Sequence, residues 1–199
     1  MEESEKWRLF IALQVPDPVK AEIEKVQLEL RDALSNSAVR WTRREQFHLT
    51  LRFLGDVAAT QFDALETSVR SEVGELSPIP LIAEGIGVFP DLRRPRVVWT
   101  GVVSAGSELA TLFRAVGLAC SKFSAEIPEE KPVGHITLGR IKNLERAESN
   151  PLKQAVSSMS KKRFGDWIAD SVEILRSELS QSGAIHTPVA TIRLSGLAS

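Results

Sequence analysis

Apolar residues recur along the chain at two spacings, one typical of strands and one typical of helices. Residues 8–15 form a short, mostly apolar run that predicts a buried strand. Beyond Pro16, apolar residues repeat every three or four positions from Val19 to Leu34, which predicts a helix with one apolar face. Pro18 is compatible with the first turn of this helix, where the amide hydrogen that proline lacks has no partner.

Segment 47–55 alternates between apolar and polar residues, and we interpret it as a half-buried strand that ends at Gly55. A short extended piece around Trp41 precedes it. The apolar side chains predicted to share one face are Phe47, Leu49, Leu51 and Phe53. The opposite face is predicted to carry His48, Thr50 and Arg52.

The rest of the chain continues this mixture of helices and strands. Helical spacing recurs over 62–73 and 109–123, and a short helix is expected to begin at Asn150. The order of the elements predicts an α+β protein in which helices cover the faces of sheets. Extended runs are expected at 81–89, 96–103, 135–141, 167–176 and 185–194.

Composition excludes several classes of protein. The 199 residues are 43% hydrophobic and 26% charged, which is ordinary for a globular protein and excludes a disordered or collagen-like chain. No run reaches the roughly 18 to 20 uncharged apolar residues of a membrane span, and the acidic start lacks the basic region of a secretory signal. The single cysteine cannot form an intrachain disulfide. We therefore expect a single cytoplasmic domain over 1–199 that is soluble and monomeric.

The sequence His-x-Thr-Leu occurs twice, at 48–51 and at 135–138, each time on a predicted strand. The protein has only three histidines, and two of them occupy the same place in these two copies. Residues i and i+2 of a strand project from one face, so each histidine should lie beside its threonine. Two such strands, related by an approximate two-fold axis, would direct two imidazoles and two hydroxyls into one cleft.

Such a pair is suited to acid–base catalysis. An imidazole titrates near pH ~6.5, so one ring can be neutral while the other is protonated. The neutral ring can take a proton from water, and the charged ring can donate one to a leaving oxygen. The threonine hydroxyls can bind the non-bridging oxygens between the rings. A phosphodiester attacked in line fits this arrangement, and the chemistry requires neither a metal nor a cofactor.

The chain resembles the 2H phosphoesterase superfamily in the segments HLTLRFLG, HITLGR, RLFIAL and FP…PRVVWTGV. More closely it resembles the bacterial and archaeal RNA 2′,3′-cyclic phosphodiesterases, formerly called 2′-5′ RNA ligases, from about residue 8 to 194. The resemblance implies two pseudo-symmetric lobes whose antiparallel sheets line a central cleft, with helices outside. It also implies metal-independent opening of a 2′,3′-cyclic phosphate, on RNA or a nucleotide, to a 2′-phosphate.

The resemblance also implies roles for the four motif residues. His48 matches the histidine expected to protonate the departing 3′ oxygen, and His135 matches the one expected to activate water. Thr50 and Thr137 match the hydroxyls that hold the phosphate.

Two arginines are candidate phosphate ligands. Arg140 matches an arginine that often follows the second motif, but its strand parity is opposite to that of His135. A bulge or the end of the strand must therefore turn Arg140 toward the cleft. Arg52 has the parity of His48 and is expected on the cleft face without such an irregularity.

Other candidates have simpler interpretations. His186 stands near the place where the family usually carries a tyrosine, which this chain lacks, and we predict a surface or sheet-edge position for it. Cys120 lies on an apolar helical stripe and is predicted to be a core residue. The basic clusters at 93–96 and 161–163 are predicted to be solvated, with RNA contact as the alternative.

Three other functions stay open from the sequence. The first is the reverse reaction, ATP-independent formation of a 2′-5′ linkage; the chain has no phosphate-binding loop of the ATP-using kind. The second is a binding module for RNA or nucleotides with little turnover, which would not need an acid–base pair. The third is a zinc site, for which two histidines supply too few ligands.

Overall fold

The computed structural model describes residues 5–124, 132–180 and 183–196, which form four helices and nine strands. The helices are α1 (Asp17–Ala33), α2 (Phe62–Val73), α3 (Glu108–Ala119) and α4 (Ser149–Ser158). The strands are β1 (Lys6–Gln14), β2 (Ala38–Trp41), β3 (His48–Ala58), β4 (Ile79–Phe89), β5 (Val97–Val103), β6 (His135–Asn143), β7 (Arg163–Ala169), β8 (Ser171–Ser180) and β9 (Gly183–Arg193).

All strand pairs are antiparallel, and the sheet has two halves. One half has the order β7-β4-β5-β6, with β2 also paired to β6, and the other has the order β3-β1-β8-β9. The halves meet between β3 and β6, where Leu49 pairs with Ile136. The α+β fold built from antiparallel sheets and outer helices, which the resemblance implied, is confirmed.

The sheet cannot be flat, because a single residue, Asp170, separates β7 from β8. These strands are six places apart in the sheet order, which in a flat sheet would be about 29 Å. Two residue steps span only about 7 Å. The sheet therefore wraps, and the prediction of one strand over 167–176 is wrong: the chain leaves one half and enters the other at Asp170.

Two helices cover each half of the sheet. In each pair, one helix follows a strand of the opposite half in the chain. Helix α1 follows β1 but packs against β7 and α4, whereas α3 follows β5 but packs against β3 and α2. Buried apolar side chains from both halves form one continuous core, from Leu9 to Leu194. None of the helices in the described ranges is long and apolar enough to cross a membrane.

Two bulges interrupt the alternation of β3. Thr50 pairs with Ala12 and Arg52 with Ile11, so Leu51 is an extra residue on β3. A further shift between Phe53 and Gly55 adds a second extra residue. The prediction that Phe53 lies on the buried apolar face is therefore wrong, and its side chain is 51% exposed.

Candidate active site

The two His-x-Thr motifs cross at the junction of the two sheet halves. The Leu49–Ile136 pair fixes an antiparallel register, which places His48 across from Thr137 and Thr50 across from His135. Leu49 and Ile136 are fully buried, so the four polar side chains project together from the opposite face. In this arrangement the two histidines are diagonal neighbours, roughly 7 to 8 Å apart and somewhat closer at their Cβ atoms.

A cavity of about 480 Å³ opens on this face of the sheet. All three histidines of the protein line it. The remaining lining includes both motif threonines, three arginines and several aromatic side chains, and the residues that matter below are Arg8, Phe10, Arg40, Trp41, Gln46, Thr50, Phe53, Thr137 and Arg140.

Backbone carbonyls fix the same tautomer in both motif histidines. The Nδ1–H of His48 donates to the carbonyl of Gln46 at 2.7 Å, and the Nδ1–H of His135 donates to the carbonyl of Val133 at 2.8 Å. We assign the proton to Nδ1 because a carbonyl oxygen can only accept. In each motif the carbonyl belongs to the residue two positions earlier, and each Nε2 is left for the cleft. The Nε2 of His48 accepts from the hydroxyl of Thr50 at 3.1 Å.

His48 is held against two other rings. The ring centroids of Phe10 and His186 lie 5.1 and 5.4 Å from that of His48. The pKa of His48 is lowered to about 4, mainly by burial and in addition by the neighbouring His186, Lys20 and His135, against the hydrogen bond to Gln46, which raises it. Burial also lowers the pKa of His186. In the free protein at neutral pH, the His48 imidazole is therefore neutral.

His135 packs against aromatic side chains of its own sheet half. The ring of Phe89 meets it edge-on at 5.0 Å between centroids, and Trp99 lies at 6.1 Å. Each motif histidine thus has an aromatic neighbour from an adjoining strand and a carbonyl that fixes its tautomer.

A bulge in β6 turns Arg140 toward the cleft. Trp99 pairs with Thr137 but Val98 pairs with Gly139, so Leu138 is the extra residue. Arg140 consequently lies on the side of His135 and lines the cavity. The sequence predicts a bulge or a strand end before Arg140, because its strand parity is opposite to that of His135, and the bulge at Leu138 is that irregularity.

The structure does not place Arg52 with these residues. The bulge at Leu51 moves Arg52 to the face of its partner Ile11, which is fully buried in the core. The charge of Arg52 acts there on the buried Cys120 at the end of α3, and the cavity lining does not include it. The expectation that Arg52 faces the cleft is wrong. Apolar and polar residues alternate without interruption through Leu51, so the sequence pattern gives no sign of the bulge there.

His186, Gln46 and Phe53 line the cavity, which the sequence did not predict for any of them. His186 lies on β9, the last strand in the sheet order, which agrees with the predicted sheet-edge position. Its ring nevertheless lies in the cavity, with its centroid 4.9 Å from that of Phe10. Gln46 links the same strand to the first motif, because its side-chain amide donates to the carbonyl of Ala184. The only hint in the sequence was that His186 stands where relatives usually carry a tyrosine.

The prediction that Cys120 is a core residue is confirmed, since it is fully buried. Burial raises the pKa of its thiol to about 12, so the thiol is not a nucleophile at neutral pH. Within the described ranges, no group of three or more His, Cys, Asp or Glu side chains could hold a metal ion.

Comparisons with known proteins give one consistent result. A model of the family "LigT like Phosphoesterase" matches residues 13–99. An RNA 2′,3′-cyclic phosphodiesterase of Archaeoglobus fulgidus is 32% identical over 90% of this chain and 96% of its own length. An RNA 2′,3′-cyclic phosphodiesterase of Methanothermobacter thermautotrophicus is 29% identical over 95% of this chain and 100% of its own length. The structure of Escherichia coli LigT complexed with 3′-AMP superposes with a TM-score of 0.74, at 23% identity, over 96% of this chain and 99% of that one.

Proposed function

The chain belongs to the LigT like phosphoesterase family, and on this premise we propose that it hydrolyses the 2′,3′-cyclic phosphate at the end of an RNA or nucleotide to a 2′-phosphate. The relatives named above carry this activity in their names. The proposed reaction uses two histidines and no metal ion.

The observation that carries the proposal is the matched pair of imidazoles. Both rings have their Nδ1–H bound to a carbonyl two residues earlier, so both Nε2 atoms, that of His48 beside the hydroxyl of Thr50, are on the side of the cleft. A phosphorus atom between the rings would have one Nε2 on the side of the attacking water and the other on the side of the leaving oxygen. In-line displacement at phosphorus needs a base and an acid on opposite sides.

The proposed step proceeds as follows. The water oxygen forms a bond to phosphorus while its proton passes to Nε2 of His135. The bond from phosphorus to the 3′ oxygen breaks, and that oxygen takes a proton from Nε2 of His48. These roles are the ones that the family resemblance implies. His48 is neutral in the free protein, so we propose that it acquires its proton with the anionic substrate, whose charge favours the imidazolium.

Three further side chains would hold the phosphoryl group. Thr50 and Thr137 stand diagonally opposite each other beside the two rings, so their hydroxyls can donate to the non-bridging oxygens from both sides. The guanidinium of Arg140, turned inward by the bulge in β6, would add a charge-assisted hydrogen bond.

The test is incubation of the protein with a nucleoside 2′,3′-cyclic phosphate in the presence of a chelator, with the product identified by phosphorus NMR. We expect a 2′-phosphate to accumulate. A 3′-phosphate would contradict the assigned leaving group, and loss of activity in chelator would contradict metal independence. Binding without any product would instead identify a binding module.

A second reaction mixture tests the reverse direction. It contains the same cyclic phosphate end on RNA and a second RNA with a free 5′-hydroxyl, without ATP. If hydrolysis is the preferred direction, the 2′-phosphate forms and a 2′-5′ linkage does not accumulate.

A further inference from the structure

Two arginines face each other across neighbouring strands at the cavity. Arg40 of β2 pairs with Arg140 of β6, both are exposed, and both line the cavity. Like charges placed directly opposite each other destabilise a sheet. Neither guanidinium makes a salt bridge with an acidic side chain in the described part of the chain. An anion bound between them would remove this repulsion.

The cavity carries more positive charge than a cyclic mononucleotide can neutralise. Three arginines line it, and no aspartate or glutamate among the described residues does. Arg8 faces Asp56 on the adjoining strand, so its charge has an acidic neighbour. Arg40 and Arg140 are paired with each other, and the other strand partner of Arg140 is Val97, so neither arginine is paired with an acidic residue. A nucleoside 2′,3′-cyclic phosphate carries a single negative charge, whereas an RNA end carries one more for each upstream nucleotide.

The position of Arg40 relative to the reacting group fits a neighbouring phosphate. Arg140 lies three positions after Thr137 on β6, which is about 10 Å along a strand and less where a residue is bulged. Arg40 lies beside Arg140 on β2, which pairs with the same edge of β6 as β3 does, because β5 occupies the other edge. The long side chain of Arg140 can therefore reach the reacting phosphate, while Arg40 starts from a backbone position about 5 Å to its side and can reach a second phosphate.

The backbone that carries Arg40 is held firmly against β6. The ring of Trp41 lies over Gly139, where an added Cβ would come within 2.8 Å of it. The amide of Thr42 donates to the carbonyl of Leu138 at 2.9 Å. The two guanidiniums are thus presented from fixed backbone positions, as a preorganised anion site requires.

We propose that Arg40 binds the phosphodiester that lies one nucleotide upstream of the reacting cyclic phosphate, so that the cleft prefers the end of an oligoribonucleotide to a mononucleotide. This inference rests on the proposed function, because it takes the reacting group to be a terminal cyclic phosphate. Arg40 is then a specificity-determining residue that does not contact the reacting phosphorus.

The experiment compares two substrates that differ by one upstream phosphodiester. They are a nucleoside 2′,3′-cyclic phosphate with a free 5′-hydroxyl and a dinucleotide that ends in the same cyclic phosphate. For Arg40→Ala we expect kcat/KM to fall about tenfold with the dinucleotide and to stay within about twofold with the mononucleotide. Arg31→Ala, which removes an exposed arginine from the end of α1, should change neither value.

Two outcomes would overturn the inference. An equal loss with both substrates would place Arg40 on the reacting phosphate, and no loss with either would remove it from substrate binding. Thermal melting of Arg40→Ala should match that of the parent protein, which separates a binding effect from unfolding.

A binding measurement keeps the inference testable if neither substrate is turned over. The probe is a dinucleotide with a terminal 2′-phosphate, titrated at several salt concentrations. Removing one phosphate contact should reduce the slope of log Kd against log salt by about 0.7 for Arg40→Ala and leave it unchanged for Arg31→Ala. Absence of turnover would refute the proposed function, and an unchanged slope would separately refute the role of Arg40.

Discussion

The side chain of Gln27 donates a hydrogen bond to the carbonyl of Leu138, the bulged residue that turns Arg140 toward the cleft. The same amide nitrogen donates to the carbonyl of Thr42, just beyond β2, and the two distances are 2.8 and 2.7 Å. Gln27 is 4% exposed and belongs to α1, on the core side of the sheet. A polar residue in the core thus stabilises the backbone irregularity on which one wall of the active site depends.

Replacing Gln27 with methionine should therefore affect both stability and substrate binding. Gln27→Met keeps the length of the side chain but removes the hydrogen bond that each of the carbonyls of Thr42 and Leu138 accepts from it. We expect the free energy of unfolding to fall by about 2 kcal/mol. KM should rise more than kcat falls, because the displaced group, Arg140, is proposed to bind the phosphate. Denaturant unfolding and steady-state kinetics measure the two effects. A loss of stability with unchanged KM would show that the bulge persists without Gln27.

Each motif histidine should be indispensable for turnover. His48→Ala and His135→Ala each remove one half of the acid–base pair, and we expect kcat to fall by about 10²- to 10⁴-fold in each variant. Circular dichroism should remain that of the parent protein, since both rings lie on the cleft face and not in the main core. Normal turnover by either variant would contradict the proposed mechanism.

A sulfur-substituted substrate distinguishes the acid from the base. If the leaving 3′ oxygen is replaced by sulfur, the departing thiolate no longer needs a proton. The variant that lacks the general acid should then recover much of its activity, and the variant that lacks the base should not. The assigned roles predict recovery for His48→Ala; recovery for His135→Ala instead would reverse them.

The pH dependence of kcat/KM should report the low pKa of His48. This parameter reflects the free enzyme, and the proposed reaction needs one proton between the acid and the base. We expect a bell-shaped profile whose acidic limb lies near pH 4, because burial keeps His48 uncharged down to that value. His186→Phe keeps a ring beside His48 but removes a group that lowers its pKa, so the limb should move upward. An acidic limb near pH 6.5 in the parent protein would contradict the burial of His48.

The same pKa couples folding to pH. The pKa of His48 is about 4 in the folded protein and about 6.5 in the unfolded chain, so the unfolded chain binds the proton more tightly. The resulting stability is fully present above pH ~6.5 and is lost as the pH falls toward 4, by at most about 3 kcal/mol. Denaturant unfolding at several pH values should show this decline. His48→Gln should reduce it, and an identical decline in that variant would assign it to other groups.

Two arginines with similar sequence contexts should behave differently when they are replaced. Arg140→Met should raise KM about tenfold or more, because it removes the charge proposed to bind the phosphate. Arg52→Met should leave KM within about twofold, because Arg52 lies on the core side beside α3, and it should lower the melting temperature instead. A large increase in KM for Arg52→Met would show that Arg52 reaches the cleft.

Local patterns in the sequence predicted most of the secondary structure. The helix over Val19–Leu34 and the strands that carry both motifs follow from the spacing of apolar side chains, which depends only on the geometry of each element. The one strand that was misjudged, over 167–176, fails for a non-local reason. The residues on both sides of Asp170 have strand character, and only their different partners, β4 and β1, divide them.

The amino-acid sequence by itself determined the candidate chemical groups: two histidines and two threonines in matching contexts, and the faces on which their strands present them. Only the tertiary structure decided which other groups join them. A bulge forms where a partner strand runs out of register, and each bulge reverses which later side chains face the cleft. For that reason the fold brings Arg140 in and turns Arg52 away, and for the same reason Phe53 lies in the cavity. The meeting of His186 with His48, and of Arg40 with Arg140, depends on pairing between strands far apart in the chain, which no local spacing encodes.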